Sequence, residues 1–384
     1  MRLPRSPTID DNFMVPDVPR ITVNPAESIA SMEVAPAWAP TGANATDSFS
    51  GNKTAPDEIR PSSAVASPRV SVIVVTYGSS AEIPDCVESL LNQSVPVEIF
   101  LVDNASLDNT AQVISDYAAR YENVHAILNT ENVGLAAGNN VPMGKCRGEY
   151  LLMLNPDTAF RGDSLERMVE FLDRNLDVGV VGPKNVYPDG SPHVSFRRSW
   201  GIRHVVTWRV LPYRLPRLLH DRFSSYDTQD VLYVSGACLL IRRAIFEQIG
   251  GYDPEYFLTI EDVCDLCIRV KQTGSRVVFL GEEEVVHLAG RSGVQAPYIV
   301  VWHGNRGTVY HFLKHKGIAQ ALVVSFLLLS ASATRVVLAA MLGLVKKRYR
   351  NVARIYGRVF WGLIVRNPIW EGKSKLSTSP KNVT

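Results

Sequence analysis

Cysteine is scarce in this chain, and the few cysteines present follow no pairing pattern. The 384 residues include five of them, Cys86, Cys146, Cys238, Cys264 and Cys267. An odd number without a framework of spacings argues against structural disulfides and indicates a reducing compartment. Cys264 and Cys267 form a C-x-x-C pair, but a zinc site of this type needs a second pair, and the sequence has none.

The chain also lacks an excess of either charge, since 40 Lys and Arg face 38 Asp and Glu, for a net charge of +2. This balance argues against nucleic acid as a partner. The charge is unevenly placed, however. Residues 346–384 carry ten basic residues and one acid, a net charge of +9, which leaves −7 for the rest of the chain. A basic tail on a mildly acidic body predicts contact with an anionic membrane surface.

No secretory signal is visible at the start of the sequence. The first twenty residues contain six charged side chains and no apolar core, which predicts a cytoplasmic protein. Residues 1–68 lack a sustained apolar period and are rich in Pro, Ala, Ser and Thr. Such a segment cannot bury enough apolar surface to offset its ordering entropy. We therefore expect a disordered leader, with a short docking peptide inside it as the alternative.

Between residues 69 and 154, short apolar runs alternate with amphipathic segments. The runs at 70–76, 97–102, 124–128 and 149–154 are typical of buried strands, and the segments at 81–91, 108–121 and 135–146 of helices. This alternation predicts right-handed βαβ units in a parallel sheet that is covered on both faces. Ligands bind at the carboxyl ends of such strands, where Thr76, Tyr77, Asp103 and Asp157 fall.

Beyond residue 160 the pattern is less regular. It predicts a helix and a strand over 162–181, an irregular stretch over 187–230, a strand within 231–241, helices over 243–249 and 261–273, and short strands at 276–280 and 285–288.

The C-terminal part is strongly apolar. Residues 317–334 carry no charge, Arg335 follows, and residues 336–345 are apolar again before Lys346. Eighteen helical residues span about 27 Å, close to the roughly 30 Å of a bilayer core. An arginine at mid-membrane depth costs about 2.5–3.5 kcal/mol. We therefore expect the segment 317–345 to be an interfacial or re-entrant helix pair at the membrane, with a buried core helix as the alternative.

Polar residues at the strand ends are candidates for nucleotide binding. Asp103 can accept hydrogen bonds from a ribose, although an Asx turn explains an Asp at this place equally well. Gly134, two residues after Asn132, opens a helix and allows close approach of a nucleotide, which alone is weak evidence. Tyr77 can stack on a base, whereas a single aromatic residue more often serves packing.

A second group of polar residues is suited to metal binding and proton transfer. Asp157 follows Asn155 at the end of an apolar run and can bind a divalent cation that also ligates a diphosphate, with an Asx-type turn as the equal alternative. Glu261 and Asp262 start a helix, where acids also complement the helix dipole. Either acid could act as a general base toward an acceptor hydroxyl. His287 after a short strand is, taken alone, a packing residue.

Together these residues carry a resemblance. In order they are Val72-Ile-Val-Val-Thr-Tyr77, Val102-Asp-Asn-Ala-Ser106, Asn132-Val-Gly134, Leu151-Leu-Met-Leu-Asn-Pro-Asp157, the run from Ser235 to Arg243, Gly250-Gly-Tyr-Asp253, Glu261-Asp-Val263 and His287-x-x-Gly-Arg-Ser292. Residues 69–316 thus resemble a family 2 inverting glycosyltransferase, in particular the rhamnosyltransferase-like branch of bacterial cell-surface polysaccharide synthesis. The resemblance implies the α/β GT-A fold, a Rossmann-like mixed sheet with helices on both faces, here followed by C-terminal apolar and basic helices.

The resemblance also implies roles for individual residues. The nucleotide-sugar would be bound by Thr76, Tyr77, Asp103, Asn132, Gly134, Asn155, Arg291 and Ser292. Asp157 and His287 would hold Mg²⁺ or Mn²⁺. Asp262 would be the catalytic base, supported by Glu261. The implied reaction is a single displacement at the anomeric carbon, with the metal stabilising the departing nucleoside diphosphate.

One position departs from the family pattern. The family usually has Glu-Asp-Val-Asp-Leu-Cys, whereas here Cys264 is inserted before Asp265. An extra residue rotates the rest of a helix by about 100° relative to Asp262. Either a local bulge absorbs the insertion, or the relation between Asp262 and Asp265 is altered.

The sequence therefore predicts a glycosyltransferase at the cytoplasmic face of the cell membrane. The implied donor is dTDP-rhamnose or a UDP-sugar, and the implied acceptor is a lipid-linked glycan that meets the region of Arg197, Arg198 and Trp200. The alternatives are a degenerate, non-catalytic nucleotide-sugar-binding protein at the membrane and a sugar-nucleotide pyrophosphorylase. The pyrophosphorylase needs a basic, Gly-rich loop after the first strand, and residues 76–80 contain one glycine and no basic residue.

Overall fold

The computed structural model describes residues 67–211, 226–288 and 297–371. The leader predicted over 1–68 lies outside these residues except for its last two positions. Arg291 and Ser292, which the resemblance places in the site, also lie outside them, as does the end of the basic tail from residue 372 onward.

The first half of the described chain follows the predicted alternation. The strands are β1 (Val70–Thr76), β2 (Val97–Asp103), β3 (Val124–Leu128) and β4 (Tyr150–Leu154). The helices between them are α1 (Ile83–Leu91), α2 (Thr110–Arg120) and α3 (Leu135–Asn140), the last followed by a 3-10 turn (Met143–Lys145). These strands pair in parallel in the order β3-β2-β1-β4. The helix predicted over 135–146 ends earlier, because Pro142 cannot donate the backbone hydrogen bond that an α-helix needs.

The second half adds strands of both directions. They are β5 (Thr158–Phe160), β6 (Val178–Val186), β7 (Phe196–Arg197), β8 (Gln229–Asp230), β9 (Tyr233–Val234), β10 (Cys238–Arg242) and β11 (Arg276–His287). The main path is β3-β2-β1-β4-β10-β6-β11-β5, with β8 paired to β11, whereas β7 and β9 form a separate two-stranded sheet. The parallel sheet predicted for residues 69–154 is confirmed in β1 to β4, and β10 makes the whole sheet mixed, as the resemblance implies. This strand runs antiparallel to β4, with Cys238 opposite Leu154 and Arg242 opposite Tyr150.

The two short strands predicted at 276–280 and 285–288 are one strand, β11. Its pairing with β6 shifts register between Leu280 and Glu284. Glu282, Glu283 and Glu284 interrupt the apolar pattern, but the backbone stays extended through this irregularity.

The sheet is buried on both faces. In β1, Val72 and Val74 belong to one apolar cluster, whereas Ile73 and Val75 belong to the other. Successive side chains of a strand point to opposite faces, so two cores flank the sheet. The continuous apolar run of β1 is explained by this two-sided cover.

The remaining helices complete the cover and extend the chain beyond the sheet. They are α4 (Ser164–Arg174), α5 (Ile202–Val205), which continues into a π-helical turn (Val206–Val210), α6 (Arg243–Gln248), α7 (Glu261–Gln272), α8 (Pro297–His315), α9 (Ile318–Val345), α10 (Arg348–Val365) and α11 (Pro368–Glu371).

The apolar C-terminal segment is a single 28-residue helix, α9, and not the helix pair that we expected. Arg335 does not break it, because its guanidinium donates hydrogen bonds to the carbonyls of Arg209 (2.7 Å) and Val210 (3.2 Å) and lies over the ring of Tyr356. By length and composition α9 could cross a membrane, and only 33% of its most apolar stretch is buried. Helix α10, inside the predicted basic tail, packs along α9.

Candidate active site

The carboxyl ends of β1 and β2 lie side by side, with Thr76 opposite Asp103. Both side chains are buried. Asp103 accepts hydrogen bonds from the backbone N–H (3.1 Å) and the hydroxyl of Ser106, which is the Asx turn considered as the alternative. The Thr76 hydroxyl donates to the Val102 carbonyl (3.2 Å). A carboxylate can accept about four hydrogen bonds, so Asp103 can still accept hydrogen bonds from a ligand in addition to those of this turn.

The loop of Asn132 and Gly134 lies against the segment that precedes α7. The Asn132 side-chain oxygen accepts from the N–H of Gly134 (2.9 Å), and Gly134 has a φ of 86°. A Cβ at Gly134 would lie 2.5 Å from the carbonyl oxygen of Phe257. Protein packing therefore already accounts for the glycine, independently of any nucleotide. Tyr77 is half-buried just beyond β1.

Asp157 and His287 are brought together by the pairing of β5 with β11. His287 is opposite Thr158, and its Nε2 lies 3.3 Å from Asp157 Oδ1. Both residues are buried. The Nδ1 atom of His287 is buried without a hydrogen-bond partner. This pair is the best candidate for metal ligands among the sequence-predicted residues.

His193 adds a second imidazole to this pair. Its ring packs edge-on against His287, with centroids 5.4 Å apart. Burial, followed by the charge of His287, lowers the pKa of His193 to about 4, so its ring is neutral at physiological pH. Sequence reasoning missed His193 because it lies in the irregular stretch 187–230, where no period or motif marks it.

The described residues contain no group of three His, Cys, Asp or Glu side chains that could hold a metal by themselves. A cation bound with a nucleotide does not require one, since Mg²⁺ keeps waters and substrate phosphate oxygens in its coordination shell. A histidine imidazole and the carboxylate beside it are both suitable donors for Mn²⁺. The residues thus fit a metal shared with a diphosphate.

Asp262 lies at the start of α7 and lines a small pocket together with Asn155, Asn139 and Tyr252. Its side chain is almost wholly buried. Oδ1 accepts from the N–H of Val263 (2.5 Å), and Oδ2 is buried without a partner. Burial above all, with the charges of Glu261 and Asp265, raises the pKa of Asp262 to about 8. A buried carboxylate with one open oxygen and a raised pKa is suited to take a proton.

Glu261 has a different environment from its neighbour. Its carboxylate accepts from the hydroxyls of Thr308 (2.6 Å) and Thr259 and faces the guanidinium of Arg209 at 3.4 Å. It is fully buried. Glu261 therefore joins α7 to α8 and to the π-helical turn. Sequence reasoning did not identify Arg209.

The inserted Cys264 is not absorbed by a bulge, because Glu261–Gln272 forms one uninterrupted α-helix. In this helix Asp265 follows Asp262 by three residues and not two, and it does not line the pocket of Asp262. It binds Arg269 (2.8 Å), Lys314 (2.7 Å) and His315 (2.7 Å). Burial opposes ionisation of Asp265, but the hydrogen bond from His315 and the two cations outweigh it and hold the pKa well below its usual range. The altered relation of the two acids is the alternative that the structure supports.

Comparison with known proteins gives the family. Residues 71–250 match the family model described as "Glycosyl transferase family 2". An N-acetylglucosaminyl-diphospho-decaprenol L-rhamnosyltransferase of Mycobacterium tuberculosis is 30% identical over 244 residues, which cover 59% of this chain and 78% of that protein. A putative teichuronic acid biosynthesis glycosyltransferase, TuaG of Bacillus subtilis, is 33% identical over 127 residues, 33% of this chain and half (50%) of the relative.

A solved structure shows the fold. The crystal structure of GalNAc-T7 with UDP, GalNAc and Mn²⁺ aligns with a TM-score of 0.50 at 17% identity, over 64% of this chain and about half (48%) of that one. At this identity the likeness concerns the fold alone, and it confirms the predicted GT-A-type α/β architecture. With the matching family model and the rhamnosyltransferase relative, we conclude that the chain belongs to glycosyl transferase family 2 and is a glycosyltransferase.

Proposed function

We propose that the protein is an inverting glycosyltransferase that moves a sugar, rhamnose in the first instance, from a nucleoside diphosphate to a lipid-linked acceptor. The observation that carries the proposal is Asp262, a buried acid with its Oδ2 unpartnered at a pocket that Asn155 also lines. The L-rhamnosyltransferase activity of the mycobacterial relative supports the choice of dTDP-rhamnose over a UDP-sugar as the first donor to test.

The donor would bind at the carboxyl edge of β1, β2 and β4. Asp103 presents remaining acceptor positions to a ribose, and Tyr77 offers a half-buried ring to the base. The side chain of Asn132 holds the turn at Gly134 through a hydrogen bond, and this turn would form the surface of the donor site next to Asp103 and Tyr77. Arg291 and Ser292, which lie outside the described residues, are proposed to close over the diphosphate.

Asp157 and His287 would hold Mg²⁺ or Mn²⁺, with Mn²⁺ the better match to a carboxylate and imidazole pair. The bound metal would neutralise the charge that develops on the departing diphosphate. His193 packs edge-on against the imidazole of His287 and helps to keep it in place.

Asp262 would act on the acceptor. Its Oδ2 takes the proton from the attacking sugar hydroxyl, the oxygen of that hydroxyl bonds to the anomeric carbon, and the bond to the diphosphate breaks with inversion. Glu261 and Arg209 keep α7 in place, so the carboxylate stays directed toward the pocket. No covalent enzyme intermediate is required.

The acceptor is proposed to be membrane-borne. Helix α9 exposes a run of large apolar side chains, among them Phe326 (69% exposed) and Leu338 (55%), on the side that does not pack on the protein. Basic residues follow directly in α10. Because Arg335 is held by the protein, we infer that α9 lies in the interface of the cytoplasmic leaflet and does not span it.

The test is release of nucleoside diphosphate with Mn²⁺ or Mg²⁺, with dTDP-rhamnose and UDP-sugars as donors and a polyprenyl-diphosphate-linked N-acetylglucosamine as acceptor. Asp262→Asn should lower turnover about 100-fold or more, since general base catalysis contributes 10²–10⁴. Asp116→Asn, an exposed carboxylate of α2, is the matched control and should be unchanged. Full turnover in Asp262→Asn would reject the base. No turnover in the parent with any donor would favour the non-catalytic binding protein.

A further inference from the structure

A groove of about 370 Å³ lies on the side of α7 that faces away from the Asp262 pocket. Its walls come from the last turns of α7, the end of α8 and the segment before α5. The side chains that matter here are Trp200, Ile268, Lys271, His311, His315 and Lys316. The family match and the proposed mechanism assign nothing to this groove.

Two of these side chains are buried and have polar atoms without partners. His311 is fully buried, and neither of its ring nitrogens has a hydrogen-bond partner. Trp200 is 8% exposed, and its Nε1–H is also unpartnered. In either tautomer the histidine leaves one N–H and one acceptor unused. Buried donors are rarely left unsatisfied, so these atoms indicate a ligand that enters the groove.

The charge of the groove indicates what kind of ligand. Lys271 and Lys316 are exposed and form no ion pair within the described part of the chain. Asp265 is the nearby acid, and it is already bound by Arg269, Lys314 and His315. The groove is therefore cationic, with N–H donors in its wall, and such a combination suits a phosphate group.

The position of the groove indicates where that phosphate comes from. Lys316 is separated by one residue from the start of α9, and the exposed apolar side chains of α9 begin there with Ile318 (59% exposed) and continue to Phe326. A cationic groove next to an exposed apolar helix matches the order of layers in a membrane, where phosphate groups lie just above the acyl chains.

We propose that this groove binds the phosphate or diphosphate headgroup of a lipid, held by Lys271, Lys316 and the N–H groups of His311 and Trp200. This lipid site is additional to the proposed transferase function. The proposal rests on that function only where it names a lipid-linked acceptor as a possible ligand. Two sources share this chemistry, an anionic phospholipid of the bilayer and the polyprenyl diphosphate of the acceptor.

The experiment is flotation of the full chain with phosphatidylcholine vesicles that contain either phosphatidylglycerol or polyprenyl diphosphate at equal negative charge. The double variant Lys271→Gln/Lys316→Gln should bind at least about tenfold more weakly than the parent, since even one lost charge-assisted hydrogen bond to phosphate has an effect of this order. The matched control Arg120→Gln/Lys145→Gln removes the same charge from exposed positions outside α9 and α10 and should lose less than about twofold.

His311→Phe provides a second test that does not alter charge. It keeps a planar ring and removes both unpartnered nitrogens, so the Tm should stay equal or rise while vesicle binding falls. Tighter binding to polyprenyl diphosphate than to phosphatidylglycerol would identify the acceptor as the ligand, and equal binding would identify bilayer phospholipid.

Two results would overturn the proposal. They are equal losses in the groove double variant and its charge-matched control, which indicate unspecific attraction, and unchanged binding in both His311→Phe and the groove double variant. Release of nucleoside diphosphate in the presence of the polyprenyl-diphosphate-linked acceptor is measured on the same samples. If that activity is intact while the groove variants bind normally, the groove proposal fails and the proposed transferase function stands.

Discussion

At the scale of single residues, the two adjacent acids Glu261 and Asp262 show how burial separates roles. Both are removed from water, yet Glu261 is surrounded by two hydroxyls and a guanidinium, whereas Asp262 has one N–H and an open oxygen. A buried carboxylate without a cation keeps its proton to higher pH. The chain thus holds one carboxylate that fixes a helix and one that can exchange a proton.

This contrast gives a pH dependence. Asp262 must be ionised to accept a proton, and its pKa is raised to about 8, so kcat/KM should rise with pH and level off only above about 8. The measurement is kcat/KM for the donor across neutral and mildly alkaline pH at constant ionic strength. A profile already flat at about pH 6 would contradict the assignment of Asp262 as the base.

At the scale of elements, helix α7 carries the effect of the inserted Cys264. After the insertion Leu266, Cys267 and Val270 are all fully buried, and Asp265 is bound to α8. The rest of the helix is therefore packed in the register that includes the extra residue. The insertion has become part of the core and is not a local defect.

Deletion of Cys264 should consequently destabilise the protein. It would turn the buried residues of α7 by about 100° toward other surroundings. Each buried side chain that loses its packing would cost about 2–5 kcal/mol. Several such losses together approach the whole free energy of unfolding of a typical protein, about 5–15 kcal/mol. Thermal unfolding of the deletion variant beside Cys264→Ala, which keeps the register, is the measurement. A deletion variant as stable as Cys264→Ala would contradict this prediction, because it would show that α7 can shift its register and keep its packing.

Arg335 links two other elements, because it lies in α9 and binds carbonyls of the π-helical turn that carries Arg209. Arg335→Met keeps the length of the side chain and removes these hydrogen bonds. We expect the free energy of unfolding to fall by about 1.5–3 kcal/mol, the range for hydrogen bonds to charged groups. Urea unfolding is the measurement, with the exposed Arg354→Met as control. Equal stability of the two variants would contradict this role of Arg335.

The sequence predicted those elements whose causes are local. Strands β1 and β3 were found with their observed bounds because β-branched runs and turn residues mark them. The antiparallel entry of β10, the contact of His193 with His287 and that of Arg209 with Glu261 depend on residues that are far apart in the chain. The spacing of residues in the sequence does not indicate such contacts. The sequence therefore predicted the main site residues but not His193 and Arg209, which pack against them.

At the scale of the whole molecule, the described chain combines a sheet with two buried faces and a helical C-terminal part with one exposed apolar face. Helix α9 buries Ala321, Val324 and Leu328 against the protein, and it leaves Phe326 and Leu338 exposed. A helix that is apolar on both its protein side and its outer side is typical of a segment between protein and lipid. This division predicts where substitutions affect membrane binding without affecting the fold.

The double variant Phe326→Ser/Leu338→Ser should weaken vesicle binding and leave the Tm nearly unchanged. Each exposed side chain that enters an apolar layer contributes about 1.5–3 kcal/mol, so the loss should be at least tenfold. Flotation with anionic vesicles is the measurement. Leu107→Ser, which changes a leucine that is 94% exposed away from α9, serves as control. Binding equal to the parent would place the membrane contact elsewhere.

The packing of Gly134 against Phe257 has a consequence for how variants of this protein are interpreted. Phe257 precedes α7 by a few residues, and no atom larger than hydrogen fits between its carbonyl and Gly134. The loop that contains Gly134 is thus in direct contact with the segment that leads to Asp262. A side chain introduced at position 134 would displace this segment, so a loss of turnover there would be no evidence that Gly134 touches the donor.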